Sequence, residues 1–375
     1  MKLKVVNMPV LLNEMRAAEL DAAIVASPEN FFYLSGWKIQ TQVLIRDRLA
    51  LGIVTADGVI TLVVATNEET QTRRFASVED VRPYGEFVDG PMKIVAEVLK
   101  EKGLTKARIG VETKYLTQAY FQDLQYRVPS ATLAACDAVF DKTRMVKTAP
   151  EIEALKLAAQ GTDEAIKRAL ASAKSGDPEH KLARSMVDNL FEIGHGEFRD
   201  ITWGVAAGPN TLTVHYWGED RQLGNDEMVR INIRASIKGY YSHLFRLAAV
   251  GRANEQHRTW YQKARDVHYR AIERLRPGAR ACDLYHAACK DIESLGGSYR
   301  GSLMGHSTGI ALHENPRIQP LDETVLAAGM VIASEPRVID PNYCYYHLED
   351  LVLVTEKGPV RLSDRSNLDE LFVIQ

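Results

Sequence analysis

INIRASIKGYYSHLFRLAAVG (231–251) and GHSTGIALHE (305–314) are the stretches on which the fold turns. Both are apolar runs broken by glycine, the pattern of strands joined by tight turns. The same pattern starts upstream at ITWGVAAG (201–208) and returns near the end as MVIASEPRVI (330–339) and LEDLVLVTE (348–356). Helical spacing fills the gap over Gln256–Leu275 and Ala281–Leu295. Two further helices precede the strands, Glu151–Ala173 and Glu179–Ile193. Pro150 opens the first of them, where its missing N–H costs nothing.

The first half alternates helices and strands. Pro9–Leu20 reads as a helix, Ala22–Ala26 as a buried strand, and SPENFFYLSG (27–36) as a turn with a short aromatic segment. Leu49–Val54 and Val59–Ala65 flank Asp57-Gly58 as a hairpin. A helix over Pro91–Glu101 stops at Gly103, followed by a strand at Arg108–Val111 and a helix at Thr117–Arg127. The polar, Pro-containing stretch Asp141–Glu151 marks the boundary, giving domains 1–142 and 143–375 and an α+β class overall.

A chain of 375 residues has the length of two domains. Lys+Arg is 46 and Asp+Glu 49, a net charge of 46 − 49 = −3. That balance argues against nucleic acid or an anionic membrane as partner. No run of 18 uncharged apolar residues stands in the sequence to span a bilayer. The four Cys form no CxxC pair, the usage of a reducing compartment. A cytoplasmic enzyme acting on a small molecule is the expectation.

Polar residues stand out on the apolar runs. His215 follows a Gly-Pro-Asn turn, His306 and His313 lie in a Gly-punctuated segment, Glu335 precedes a Pro, and Glu349 sits in a strand. Packing alone gives little reason for imidazoles and carboxylates at strand ends.

In order, GVAAGPNTLTVHY (204–216), 231–251, 305–314, SEPRVI (334–339) and LEDLVLVTE (348–356) resemble the signature strands of the aminopeptidase P, prolidase, methionine aminopeptidase and creatinase superfamily. LDAAIVASPENFFYLSGW (20–37) resembles its creatinase-type N-domain, so the resemblance covers nearly the whole chain. It implies a creatinase-like α/β N-terminal domain, a pita-bread catalytic domain and a homodimer. In the family's peptidases it implies two divalent metals on Asp, Asp, His, Glu and Glu. Here His306, Glu335 and Glu349 match, but the two Asp positions hold Asn232 and His243. The peptidases' histidine four residues before the metal histidine is Ser302.

Two carboxylates balance at most one divalent cation, so a two-metal site is not expected. The first reading is therefore a metal-free site without cofactor, similar to creatinase, that hydrolyses an amide-, amidine- or lactam-type C–N bond. Its alternative is a single Zn or Fe on His243, His306, Glu335 and Glu349, with peptidase-like or lyase-like chemistry. A third reading is a degenerate pita-bread binding protein. In the first, His215 is the general acid/base, with Glu335, Glu349 and His306 beside it. The creatinase resemblance implies that Arg317, with Arg48 and nearby Arg46 from the N-domain, grips a substrate carboxylate. Tyr241 and His313 would donate to the developing oxyanion, and Phe245 and His243 would line the substrate pocket. Creatinase has a carboxylate at Phe245 and a His at Glu349, so creatine itself is not the expected substrate.

Overall fold

The computed structural model describes residues 3–45, 47–213, 215–340 and 345–375. It divides into two compact units, Met1–Arg144 and Met145–Gln375. Among the described residues no helix is long and apolar enough to cross a membrane.

The N-terminal unit is built on a mixed sheet of β1 (Ala22–Val25), β2 (Leu51–Thr55), β3 (Ile60–Ala65), β4 (Val81–Tyr84), β5 (Arg108–Val111) and β6 (Thr132–Ala135), in the order β4-β3-β2-β1-β5-β6. The expected hairpin pairs β2 with β3 antiparallel. SPENFFYLSG differs from its reading: Pro28–Ser35 is a helix. The Ser27 side chain accepts from the Asn30 N–H, Pro28 occupies the first turn, and Gly36 ends it at φ 68°. Nearly every residue of that helix is buried, so no polar face marks its period. A second helix, Thr66–Phe75, has almost no buried face and carries no apolar stripe to announce it. Another, Asp137–Met145, runs into the stretch expected to be a linker.

The C-terminal unit opens with the helices Ala149–Ser172 and Glu179–Ile193. Its strands are β7 (Arg199–Ala207), β8 (Met228–Ile237), β9 (Tyr240–Val250), β10 (Gly305–Ser307), β11 (Glu314–Ile318), β12 (Val331–Ser334), β13 (Arg337–Ile339), β14 (Tyr345–His347), β15 (Asp350–Leu353), β16 (Val360–Arg361) and β17 (Phe372–Ile374). They form sheets of order β17-β9-β8-β7 and β11-β10-β12-β15-β16, with β13-β14 apart. Lys238 and Gly239 join β8 to β9 with φ of 51° and 82°. Two consecutive positive φ values are those of a type I′ hairpin turn, whose twist suits the flanking strands.

A buried clamp locks the two larger sheets to the first helix. Arg246 on β9 donates from Nε to Asp163 Oδ1 at 3.0 Å and from Nη2 to Asp350 Oδ1 at 2.7 Å. Its Nη1 donates to the carbonyls of Phe245 and Glu349 at 3.0 and 2.6 Å. His268 Nε2 reaches Asp350 Oδ2 at 2.8 Å from the helix Glu255–Glu273. Burial alone would raise the Asp350 carboxyl, but Arg246 and then His268 hold it well below the usual range. The clamp therefore fixes the backbone of Glu349, where a β-bridge to Phe245 joins the sheets.

Candidate metal centre

Strand pairing gathers the site. Gly305 on β10 lies opposite Ser334 on β12, and Ser334 opposite Asp350 on β15. Their sequence neighbours His306, Glu335 and Glu349 thus meet at the end of one row. Gly305 is required there, because a Cβ would fall 2.7 Å from the Ala333 carbonyl oxygen. From the other sheet, β9 alternates so that Tyr241, His243 and Phe245 share a face.

Four ligand-type side chains converge. His243 Nδ1 lies 3.1 Å from Glu349 Oε1, and His306 Nε2 lies 3.9 Å from both Glu349 Oε1 and Glu335 Oε1. None of these approaches is an aligned hydrogen bond: His243 Nδ1, His306 Nε2 and both Glu349 oxygens are buried without a hydrogen-bond partner. Orphaned buried donors and acceptors are costly and rare. A tetrahedral shell with bonds of ~2.1 Å spaces its ligand atoms about 3.4 Å apart, within the observed range. His306 Nδ1 faces the Ser307 carbonyl at 3.0 Å, so the proton sits there and the Nε2 lone pair is free. The residues fit one divalent cation.

The electrostatics agree. Burial pushes the imidazoles of His243, His306 and His347 well below the ordinary range. Burial, then the charges of His243 and Arg317, pushes His313 down to about 4. Burial and then Glu349 push Glu335 up to about 8, and burial pushes Glu349 well up against the opposing charges of Arg234 and Arg337. Neutral imidazoles keep lone pairs for a cation, and a divalent charge at this point would favour the ionised carboxylates.

The other expected residues take distinct places. His313 stacks on His306 with centroids 3.7 Å apart, on the exposed side of the cluster, and joins His243 and His306 as a second ligand-type group. Tyr241 donates its backbone N–H to Gly309, tying β9 to the loop after β10. Phe245 is buried, edge-on to His243 at 5.2 Å. His215 is open to solvent; partial burial, then Arg234, Arg230 and Arg337, lowers its pKa. Arg317 is exposed, opposite His306 in register, and its guanidinium makes no hydrogen bond or ion pair with any described residue. Only its backbone N–H is engaged, by Asp322, while Glu314 pairs with buried Lys147 at 3.2 Å. In the N-terminal unit, Arg48 holds Glu86 bidentately at 2.8 and 2.9 Å. Arg46 lies outside the described residues.

Sequence reasoning passed over His347 and three arginines, and read Asn232 only as the residue at a lost Asp position. His347 is fully buried, stacks on Phe245 at 3.7 Å and lies 3.4 Å from Glu335 Oε2, with neither ring nitrogen hydrogen-bonded. Its signal was a histidine two residues before Glu349. Asn232 Nδ2 lies 3.0 Å from His243 Nε2, so this residue meets the ring rather than the cluster's centre. Arginines 230, 234 and 337 surround the cluster and act on its charges.

Residues 153–356 match the Metallopeptidase family M24 and residues 9–146 the Creatinase/Prolidase N-terminal domain. An Xaa-Pro dipeptidase of Pyrococcus furiosus is 28% identical over 354 residues, 94% of this chain and 96% of that protein. A creatinase of a Bacillus species is 27% identical over 362 residues, 92% of this chain and 86% of that one. The solved prolidase of Pyrococcus furiosus superposes with a TM-score of 0.80 at 26% identity, covering 95% of this chain and all of that one. These comparisons correct two expectations. A metal-independent hydrolase of a non-peptide C–N bond gives way, because end-to-end relatives are Xaa-Pro dipeptidases in a metallopeptidase family. A site without cofactor gives way as well, because two groups of ligand-type residues are present, buried His243 and His306 with exposed His313, and buried Glu335, His347 and Glu349. The physical reason is that losing two Asp carboxylates lowers the number of metal charges the site can balance, while His243 still supplies a donor atom. With a creatinase-type α/β domain ahead of a pita-bread domain, the chain belongs to the metallopeptidase family M24.

Proposed function

We propose that the protein is an Xaa-Pro-peptidase-like hydrolase of short, carboxylate-bearing amides that uses one divalent cation, Zn or Fe, held by His243, His306, Glu335 and Glu349. The observation that carries this reading is the convergence of buried, partnerless nitrogen and oxygen atoms at ligand spacing. Such a cation supplies Lewis-acid polarisation of the scissile carbonyl. Asn232 orients His243 through its Nε2: a half-turn of the amide from the placement with Nδ2 against the ring lets Oδ1 accept a hydrogen bond from Nε2–H, which leaves Nδ1 its lone pair. His215, neutral near pH 7, takes a proton from the attacking water and returns it to the leaving nitrogen. Arg317, exposed beside His306, binds the terminal carboxylate through its bidentate edge. Phe245 and His347 wall the site and exclude water. The enzyme is expected to act as a homodimer, which light scattering checks.

The test is elemental analysis of purified protein with an Xaa-Pro dipeptide panel. About one ion per chain, with activity lost on chelation and regained on adding metal, supports the reading. A protein that keeps full turnover after metal removal, or that holds two ions, overturns it.

A further inference from the structure

We propose that Arg234 anchors an anion subsite beside the ligand cluster, so that the substrate brings an acidic group rather than an α-ammonium to the acyl side of the scissile amide. This rests on the single-cation reading above. On β8 side chains alternate, so Arg230, Asn232 and Arg234 share one face. Asn232 meets the His243 ring from that face, which therefore looks into the cluster.

The arginines of the site differ in what already holds them. Arg230 donates to the Thr213 carbonyl and lies over the rings of Phe245 and Tyr345 at 5.8 and 5.4 Å. Arg337 donates to the Leu303 carbonyl at 2.8 Å and to the Tyr299 hydroxyl at 3.2 Å. Arg234 is partly buried directly opposite His243. Its Nε is buried without an acceptor, as Arg337 Nε is, but of these three arginines Arg234 alone makes no hydrogen bond or ion pair with any described residue. Glu349 and Glu335 attract this guanidinium without touching it, and a partly desolvated guanidinium with no hydrogen-bond acceptor gains from a ligand that supplies one.

Charge counting gives the sign of that ligand. One divalent cation balances Glu335 and Glu349. Arg230, Arg234 and Arg337 then leave three positive charges around the cluster, of which Arg234 and Arg337 both act on His243, His313 and His215. An α-ammonium entering this field is repelled, whereas a carboxylate is attracted. The Nη1–Nη2 end of Arg234, engaged by no described residue and not among the buried atoms, offers a carboxylate a two-bond fork.

The experiment compares succinyl-Pro with butyryl-Pro, which differ by one carboxylate on the acyl side. Asp-Pro, Ala-Pro and Lys-Pro are added to separate the effect of the ammonium. Succinyl-Pro is expected to exceed butyryl-Pro in kcat/KM by about tenfold or more, as one charge-assisted hydrogen bond allows. Asp-Pro should rank above Ala-Pro and Lys-Pro last, and Arg234→Met should bring the succinyl-to-butyryl ratio close to one. A second readout needs no turnover: succinate titrated calorimetrically into the metal-loaded protein should bind about tenfold more weakly to Arg234→Met. Turnover of all five amides with a ratio near one in the unaltered protein overturns the subsite and leaves the peptidase reading standing. Arg234-dependent succinate binding without hydrolysis of any prolyl amide does the reverse. Because the substrate ratio is read in the unaltered protein, a misfolded variant does not spare the proposal.

Discussion

Replacing Arg246 by Met tests the clamp that holds Glu349 in place. The guanidinium donates to two buried carboxylates and two backbone carbonyls, and its Nη2 also lies 2.9 Å from Asp163 Oδ1. The carboxylates of Asp163 and Asp350 are fully buried, so water cannot replace the lost cation. Each charge-assisted hydrogen bond contributes ~1.5–3 kcal/mol, so losing the two carboxylate contacts costs about 3–6 kcal/mol. Breaking a buried pair by removing one partner gives the same scale, ~3–5 kcal/mol, because a stranded charge remains. For a unit of this size about 2–4 °C is lost per kcal/mol, so the midpoint of its thermal unfolding should fall by roughly 6–20 °C. Circular dichroism melts of Arg246→Met, Asp163→Asn and the double variant measure it. The double variant should be less destabilised than the two single losses added together, since it strands one charge fewer. Arg246→Met costing under about 1 kcal/mol, or strict additivity, would refute the reasoning.

Asn232→Leu should keep the fold and weaken metal binding by about 10–100-fold, the usual loss when a group orienting a ligand histidine is removed; a competition titration against a chelating dye reads it, and unchanged affinity sinks the assigned role. His215→Ala should lower kcat by about 10²–10⁴-fold with little change in melting temperature, whereas a lower melting temperature with retained turnover marks a structural histidine. Arg317→Ala should raise KM by the equivalent of ~1.5–3 kcal/mol, and Arg317→Lys should not restore it, since lysine lacks the fork; steady-state kinetics on a carboxylate-bearing substrate decides between these outcomes.

Local sequence determined much of this protein. The Lys238-Gly239 turn, the strands around it and the long helix opened at Pro150 follow from neighbours a few residues apart, and each is where the pattern puts it. His306, Glu335 and Glu349 were legible because they break apolar runs inside recognisable segments. Where local rules met complete burial or no burial, as in Pro28–Ser35 and Thr66–Phe75, the amphipathic signal vanished and the helices went unread.

Tertiary structure decided what surrounds those side chains. Alternation along a strand assigns a residue to one of two faces, but only long-range register says what that face meets. Pairing of Gly305, Ser334 and Asp350 across three strands brings the ligand-type side chains together, and the Phe245–Glu349 bridge adds His243 from the other sheet. The same register buries His347 against Phe245 and turns Asn232 to the His243 ring. It also leaves Arg234 beside the cluster without a hydrogen-bond partner among the described residues, while Arg246 is fully paired. Two arginines twelve residues apart read alike in the sequence. Which one is structural and which one is open to a ligand depends on whether the fold brings a buried carboxylate within reach of the guanidinium.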